Sequence, residues 1–198
     1  MAFLFRPLPP MPSPYVDGWF ADLSAHQGEM LGAVLGTLRP LLGAAPYLFD
    51  LAQRNTDWLA EALFGTPDDA FADILATVEA IGRSVAEEGE LAATLRIAKG
   101  RTALLAAVAE AGGAWTTAQS TAALSDLADA ALHAALDFLM RQAAGRGLLA
   151  IPPDLATAAN SGLAIFALGK HGGQELNYSS DIDIVAFYDP ARKILKDP

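Results

Sequence analysis

One stretch of the sequence gathers residue types that can do chemistry together. It is residues 169–183, GKHGGQELNYSSDID. Asp181 and Asp183 stand one residue apart at the opening of an apolar run, so a strand there sets both on the same face. Ile182 and Ile184 then point to the opposite face, which is expected to be buried. Two carboxylates side by side repel, and a hard divalent cation removes the penalty. Mg²⁺ takes oxygen ligands, commonly one or two carboxylates with substrate phosphates completing its shell. The glycines ahead of the pair, Gly169, Gly172 and Gly173, let backbone N–H groups approach a phosphate. The combination suits metal-assisted transfer of a phosphoryl or nucleotidyl group. Taken singly, each part is weak evidence, because Asp-x-Asp pairs and glycine-rich turns are common. A solvated strand edge explains the two aspartates but not the ordered glycine turn and Ser179-Ser180 before them.

These residues need two strands to position them. Residues 163–168 (LAIFAL) and 182–188 (IDIVAFY) have strand length, the second rich in β-branched and aromatic types. Ahead of them the pattern is helical from about Tyr15 to Gly145. Pro46 suits a first helical turn, and Asn55 is placed to cap a short helix. Thr66-Pro67-Asp68-Asp69 combines a capping hydroxyl, a first-turn proline and two acids at the positive dipole end. A further helix is expected over about 91–111, stopped by Gly112-Gly113. Thr116 and Gln119 fit a capping box. The helix that follows carries Leu124, Leu127, Ala131, Ala135 and Phe138 on one stripe, with a period near 3.6. The expected architecture is α+β: an irregular, proline-rich lead-in over 1–14, a helical region over 15–150, a Pro152-Pro153 link, and the first strands of an α/β-type domain over 162–198.

Composition narrows the function classes. The chain has 198 residues, is 53% hydrophobic and carries a net charge of −10. That apolar content argues against disorder, and the acidic balance disfavours a nucleic-acid partner. With no cysteine, thiolate metal sites and disulfides are excluded. No apolar run approaches a membrane span, and the start does not read as a signal peptide. A cytoplasmic protein is the expectation. His26 and His133 read as ordinary helix residues, and Trp19, Trp58 and Trp115 as packing anchors. Glu87, Glu88 and Glu90 read as a solvated helix end. Ser179 and Ser180 have no histidine partner nearby, so a loop or metal-site role suits them better than nucleophile.

LGKHGGQELNYSSDIDIVAFYD closely resembles the signature of the glutamine synthetase adenylyltransferase/adenylyl-removing family, within the DNA polymerase β-like nucleotidyltransferase superfamily. APYLFDLAQRNTDWL, LRIAKGRTALL and LSDLADAAL resemble the helical region that precedes this domain in the family. The resemblance implies Asp181 and Asp183 as catalytic ligands of Mg²⁺. It implies Gly169, Lys170, Gly172, Gly173 and Ser180 as the nucleotide and phosphate side of the site. His171, apolar in many family members, receives no role.

The position of the signature after helices alone resembles the family's first domain, which removes AMP from a tyrosine of glutamine synthetase by phosphorolysis to ADP. The resemblance also implies ATP, ADP and phosphate as ligands and a PII-type signalling protein as regulator. An alternative is a non-catalytic helical module, with residues 15–145 docking glutamine synthetase or the PII-type protein.

The superfamily requires a third carboxylate on a later strand. After Asp183 the chain offers only Asp189 and Asp197, neither on a separate strand. The chain is therefore expected to be truncated and inactive alone. With only two strands, the face carrying Ile182, Ile184, Ala186 and Tyr188 is expected to be unusually exposed.

Overall fold

The computed structural model describes residues 8–196. Five short helices come first: α1 (Pro14–Ala21), α2 (Ala25–Gly32), α3 (Leu35–Ala44), α4 (Pro46–Arg54) and α5 (Thr56–Phe64). Three longer ones follow: α6 (Pro67–Ser84), α7 (Glu88–Ala111) and α8 (Thr117–Gly145). Their starts are set by side chains that take up amides a helix leaves unpaired. The Asp69 amide donates to Thr66 Oγ1 at 3.1 Å ahead of α6. At α8, the Gln119 amide donates to Thr116 Oγ1 at 3.3 Å while Gln119 Oε1 accepts from the Thr116 amide at 2.9 Å. Ser24 and Gln27 make a second such box on α2, which the sequence reading missed. Glu88 and Glu90 fall in the first turn of α7, where the helix dipole favours acids.

Asn55 departs from expectation. It precedes α5, but its side chain does not cap it. Its Nδ2 donates back to Leu51 O at 2.9 Å and its Oδ1 accepts from Arg101 Nε at 3.1 Å. A long-range cation outcompetes the local amide. The end of α6 is closed from a distance as well: Arg141 Nη2 donates to the Gly82 and Val85 carbonyls, each at 2.8 Å. Gly113 and Gly147, with φ of 80° and 72°, take the left-handed turns after α7 and α8.

The chain gathers into two compact units. One contains the residues up to Ile74 with Lys99–Leu124, and the other contains Leu75–Ala98 with the chain from Ser125 onward. In the first, Leu31, Leu38, Leu59, Leu63, Leu104 and Leu105 are fully buried, and Trp115 packs edge-on against Phe71 at 6.1 Å. In the second, Val85, Leu91 and Phe138 form one apolar cluster, and Met140, Leu149, Ala156 and Ile194 another. Of the α8 stripe, Leu124, Leu127 and Phe138 are buried, while Ala131 and Ala135 are only partly covered.

The second unit also carries the strands β1 (Leu163–Ala167) and β2 (Ile184–Tyr188), with the single-turn helix α9 (Gly169–Gly172) between them. The strands pair antiparallel, with Leu163 opposite Tyr188 and Ala167 opposite Ile184. The architecture is α+β, as the sequence predicts. Two expectations are corrected. The second strand begins at Ile184 rather than Ile182. The face carrying Ile184 is not buried, against the alternation argument but as the two-strand argument expects: Ile182 is 39% exposed and Ile184 41%. The other face is open too, with Phe166 at 55% and Phe187 at 60%. The cause is the size of the sheet, since two strands cannot cover each other's faces.

Candidate functional site: a glycine turn beside Asp183

The turn after β1 is built by glycine. Gly169 sits at φ +56°, a left-handed conformation that costs glycine little. Gly172 is held by proximity instead, because a Cβ there would lie 2.5 Å from the Ala167 carbonyl oxygen. Gly173 ends α9, its N–H donating to Gly169 O at 3.0 Å. The Glu175 amide closes the turn onto Lys170 O at 2.7 Å. The amides that open α9 have no acceptor within the helix. The Lys170 side chain stands in solvent beside them.

The acidic pair enters from the other strand. The Leu168 amide donates to Asp183 O at 2.9 Å, one rung beyond the paired strands. This rung clamps Asp183 to the start of the turn. Asp183 Oδ2 lies 3.9 Å from where a Gly169 Cβ would be, so a side chain at 169 would touch the carboxylate. Asp181 lies two residues upstream, exposed, in the segment leading into β2. The structure thus brings Asp183 against Gly169, with Lys170 next along the chain.

Ser180 is occupied within its own loop. Its Oγ donates to Asn177 Oδ1 at 2.9 Å and accepts from the Asn177 amide at 3.3 Å, while the Ser179 amide donates to the same Oδ1 at 3.1 Å. Asn177 is therefore the hub that shapes the approach to Asp181, a role the sequence reading did not assign. Asp189 caps a 3-10 turn at Pro190–Arg192, its Oδ1 accepting from the Ala191 amide at 3.0 Å beyond the far end of β2. Asp197 lies outside the described residues. Among the described residues, no three His, Asp or Glu side chains gather as a metal-holding group.

His171 is where sequence reasoning fell short. It is 2% exposed, and its Nε2 lies 2.8 Å from Asp129 Oδ1 on α8. Its Nδ1 is buried without a hydrogen-bond partner. The Leu176 amide donates to Ser125 Oγ at 3.4 Å, a second tie from the same loop to α8. Together they fix the glycine turn on the helical scaffold. Asp129 lies 42 residues earlier in the chain, and no local spacing links it to His171.

The two faces of the hairpin differ. Leu163, Ile165 and Ala167 line a cleft of about 760 Å³ together with Asp126, Asp129 and His133 of α8. By strand alternation Asp183 shares the other face, with Val185 and Phe187. The carboxylate therefore opens to solvent rather than into that cleft.

Comparison with known proteins follows the same residues. The family model for glutamate-ammonia ligase adenylyltransferase matches residues 35–196. The chain belongs to this family. Among its relatives are bifunctional glutamine synthetase adenylyltransferase/adenylyl-removing enzymes. That of Rhodopseudomonas palustris strain CGA009 is 40% identical over 179 residues, and that of Caulobacter vibrioides 41% over 176 residues. Each match covers 87% of this chain but only 18% of the relative's length. The enzyme of Bradyrhizobium diazoefficiens is 38% identical over 182 residues, covering 88% of this chain and 18% of its own. No solved structure matches. Among the described residues, no helix is long and apolar enough to cross a membrane.

Proposed function

We propose that the glycine turn and acidic pair belong to a nucleotidyltransferase site that removes AMP from an adenylylated tyrosine of glutamine synthetase, in a protein of the relatives' length. The observation that carries this reading is Asp183, whose backbone the Leu168 amide ties to the start of the turn and whose carboxylate lies beside Gly169. An acid fixed beside a glycine turn sets a metal-binding oxygen next to backbone that a phosphate can approach closely. Asp181 and Asp183 supply hard oxygen donors of the kind Mg²⁺ takes alongside substrate phosphates, so the donor set fits that ion. When bound, Mg²⁺ supplies charge neutralisation for the phosphate oxygens.

The chain's own residues would position and balance charge. Lys170 and the opening amides of α9 would steady the AMP phosphate. The reaction is a phosphorolysis: an inorganic phosphate oxygen bonds to the AMP phosphorus, the bond from that phosphorus to the tyrosine oxygen breaks, and ADP leaves. The tyrosine oxygen then takes up a proton. Glutamine synthetase would be the protein substrate and a PII-type signalling protein the regulator.

Support comes from the family match over 35–196 and from the relatives, named for both adenylyl transfer and adenylyl removal. The test replaces Asp181 or Asp183 by Asn in a protein of the relatives' length. ADP release from adenylylated glutamine synthetase, with phosphate and Mg²⁺, should fall by roughly two orders of magnitude or more as one anionic ligand is lost. Release within about tenfold of wild type in either variant would refute the assignment.

A further inference from the structure

We propose that the cleft around Arg101, in the first compact unit, binds the carboxylate of a small, singly charged organic acid. Arg101 projects from α7 and is half-buried. Its Nε donates to Asn55 Oδ1 at 3.1 Å, and its Cζ lies over the Trp58 ring, 5.1 Å from the centroid. Asn55 is itself held by the Leu51 carbonyl at 2.9 Å, so the guanidinium is fixed at two points. Among the described residues, neither Nη group has a hydrogen-bond acceptor and no carboxylate forms an ion pair with it. Burial lowers the Arg101 pKa, and the charge of Glu61 partly offsets this.

An arginine anchored through Nε and one ring face presents its two outer nitrogens as an empty fork. That geometry matches a planar, two-oxygen anion. The fork borders a cleft of about 390 Å³ lined by Trp19, Trp58, Gln27, Gln53, Asp22 and Asp57. The indoles give an apolar wall. Arg54 also lines the cleft, but Asp50 answers its charge at 2.8 Å. Arg101 is thus the cation this cleft offers. Asp22 and Asp57 repel added negative charge, which favours a single carboxylate over a phosphate. Asn55, expected to cap a helix, orients this receptor instead.

The test uses the 198-residue chain with benzoate and inorganic phosphate as probes, following the Trp19 and Trp58 indole N–H resonances by NMR. Benzoate should shift both saturably, and phosphate should bind more weakly. Arg101→Lys keeps the charge but removes the fork, and should weaken benzoate by roughly tenfold or more. Asn55→Asp places a carboxylate on Arg101 in an isosteric side chain and should weaken benzoate similarly, without depending on the fold of the first variant. Circular dichroism checks that each variant is folded. Absence of a saturable shift, phosphate binding tighter than benzoate, or a folded variant binding like wild type would each overturn the proposal. None of these outcomes bears on AMP removal at Asp183.

Discussion

Gly82 on α6 is the point where the packing of the second unit can be tested most sharply. A Cβ at 82 would lie 2.5 Å from Ala134 Cα, 2.7 Å from its Cβ and 2.9 Å from its carbonyl oxygen. Carbon atoms in contact normally sit ~3.5–4.0 Å apart, so α6 and α8 would have to part locally by about 1 Å. None of the opposing atoms belongs to a flexible side-chain end that can swing away. Forced overpacking of this kind costs about 1–3 kcal/mol, and rigid neighbours place it at the upper end. Alanine returns about 1 kcal/mol of helix propensity over glycine. The Arg141 bonds to the Gly82 and Val85 carbonyls, both 2.8 Å, would also stretch. The net expectation for Gly82→Ala is a loss of about 2–3 kcal/mol, or a melting temperature lower by roughly 5–10 °C in a chain of this size. Urea unfolding followed by circular dichroism measures it. Gly28→Ala on α2 is the control: nothing lies within 4 Å of its Cβ, so it should gain a few tenths to about 1 kcal/mol. Equal stability of the two variants would refute the close-approach argument.

Three further outcomes are expected. Gly172→Ala forces α9 off the Ala167 carbonyl oxygen, whereas Gly173→Ala meets nothing closer than 3.5 Å; only the first should speed hydrogen exchange of the turn amides and cost about 1–2 kcal/mol. His171→Leu removes a buried nitrogen that has no partner, and Asp129 is half-exposed and can return to water; its unfolding free energy should therefore stay within about 1 kcal/mol of wild type, while His171→Ala should lose about 2 kcal/mol to a cavity. Thr116→Ala removes the capping box of α8 and should cost about 1 kcal/mol by the same measurement.

Local chemistry was legible in the sequence and distant partners were not. The starts of α6 and α8 follow from Thr66, Pro67, Thr116 and Gln119, because a cap is made by residues three apart. The strand, turn and strand order of 163–188 follows from glycine content and β-branched runs. Asn55 was misread because its best partner, Arg101, comes from another helix. His171 carried no readable signal because its partner Asp129 lies on α8, far along the chain. Alternation alone puts Ile184 on a buried face, since an apolar strand implies burial without supplying the layer that provides it, whereas the count of two strands anticipates the exposed face that the structure has. Within the candidate site, the nearness of Asp183 to Gly169 follows from the strand–turn–strand order. The Asn177 hub is as local as a cap, its bonds spanning two and three residues, and the Asn-x-Ser-Ser pattern carries that signal.

The hairpin has a practical consequence for the chain as a material. β1 and β2 show apolar side chains on both faces, and among the described residues no third strand pairs with the outer edge of either. Proteins ordinarily blunt such edges with charge, proline or a covering element. Here the segment IVAFY carries no charge and no proline between Asp183 and Asp189. It is the stretch on which copies would stack first in a concentrated solution. The two flanking aspartates are the local gatekeepers, and the net charge of −10 supplies the long-range repulsion. Salt screens that repulsion over distances of roughly 10 Å at about 0.1 M. Colloidal stability should therefore fall with rising ionic strength and with falling pH, before any helix has melted.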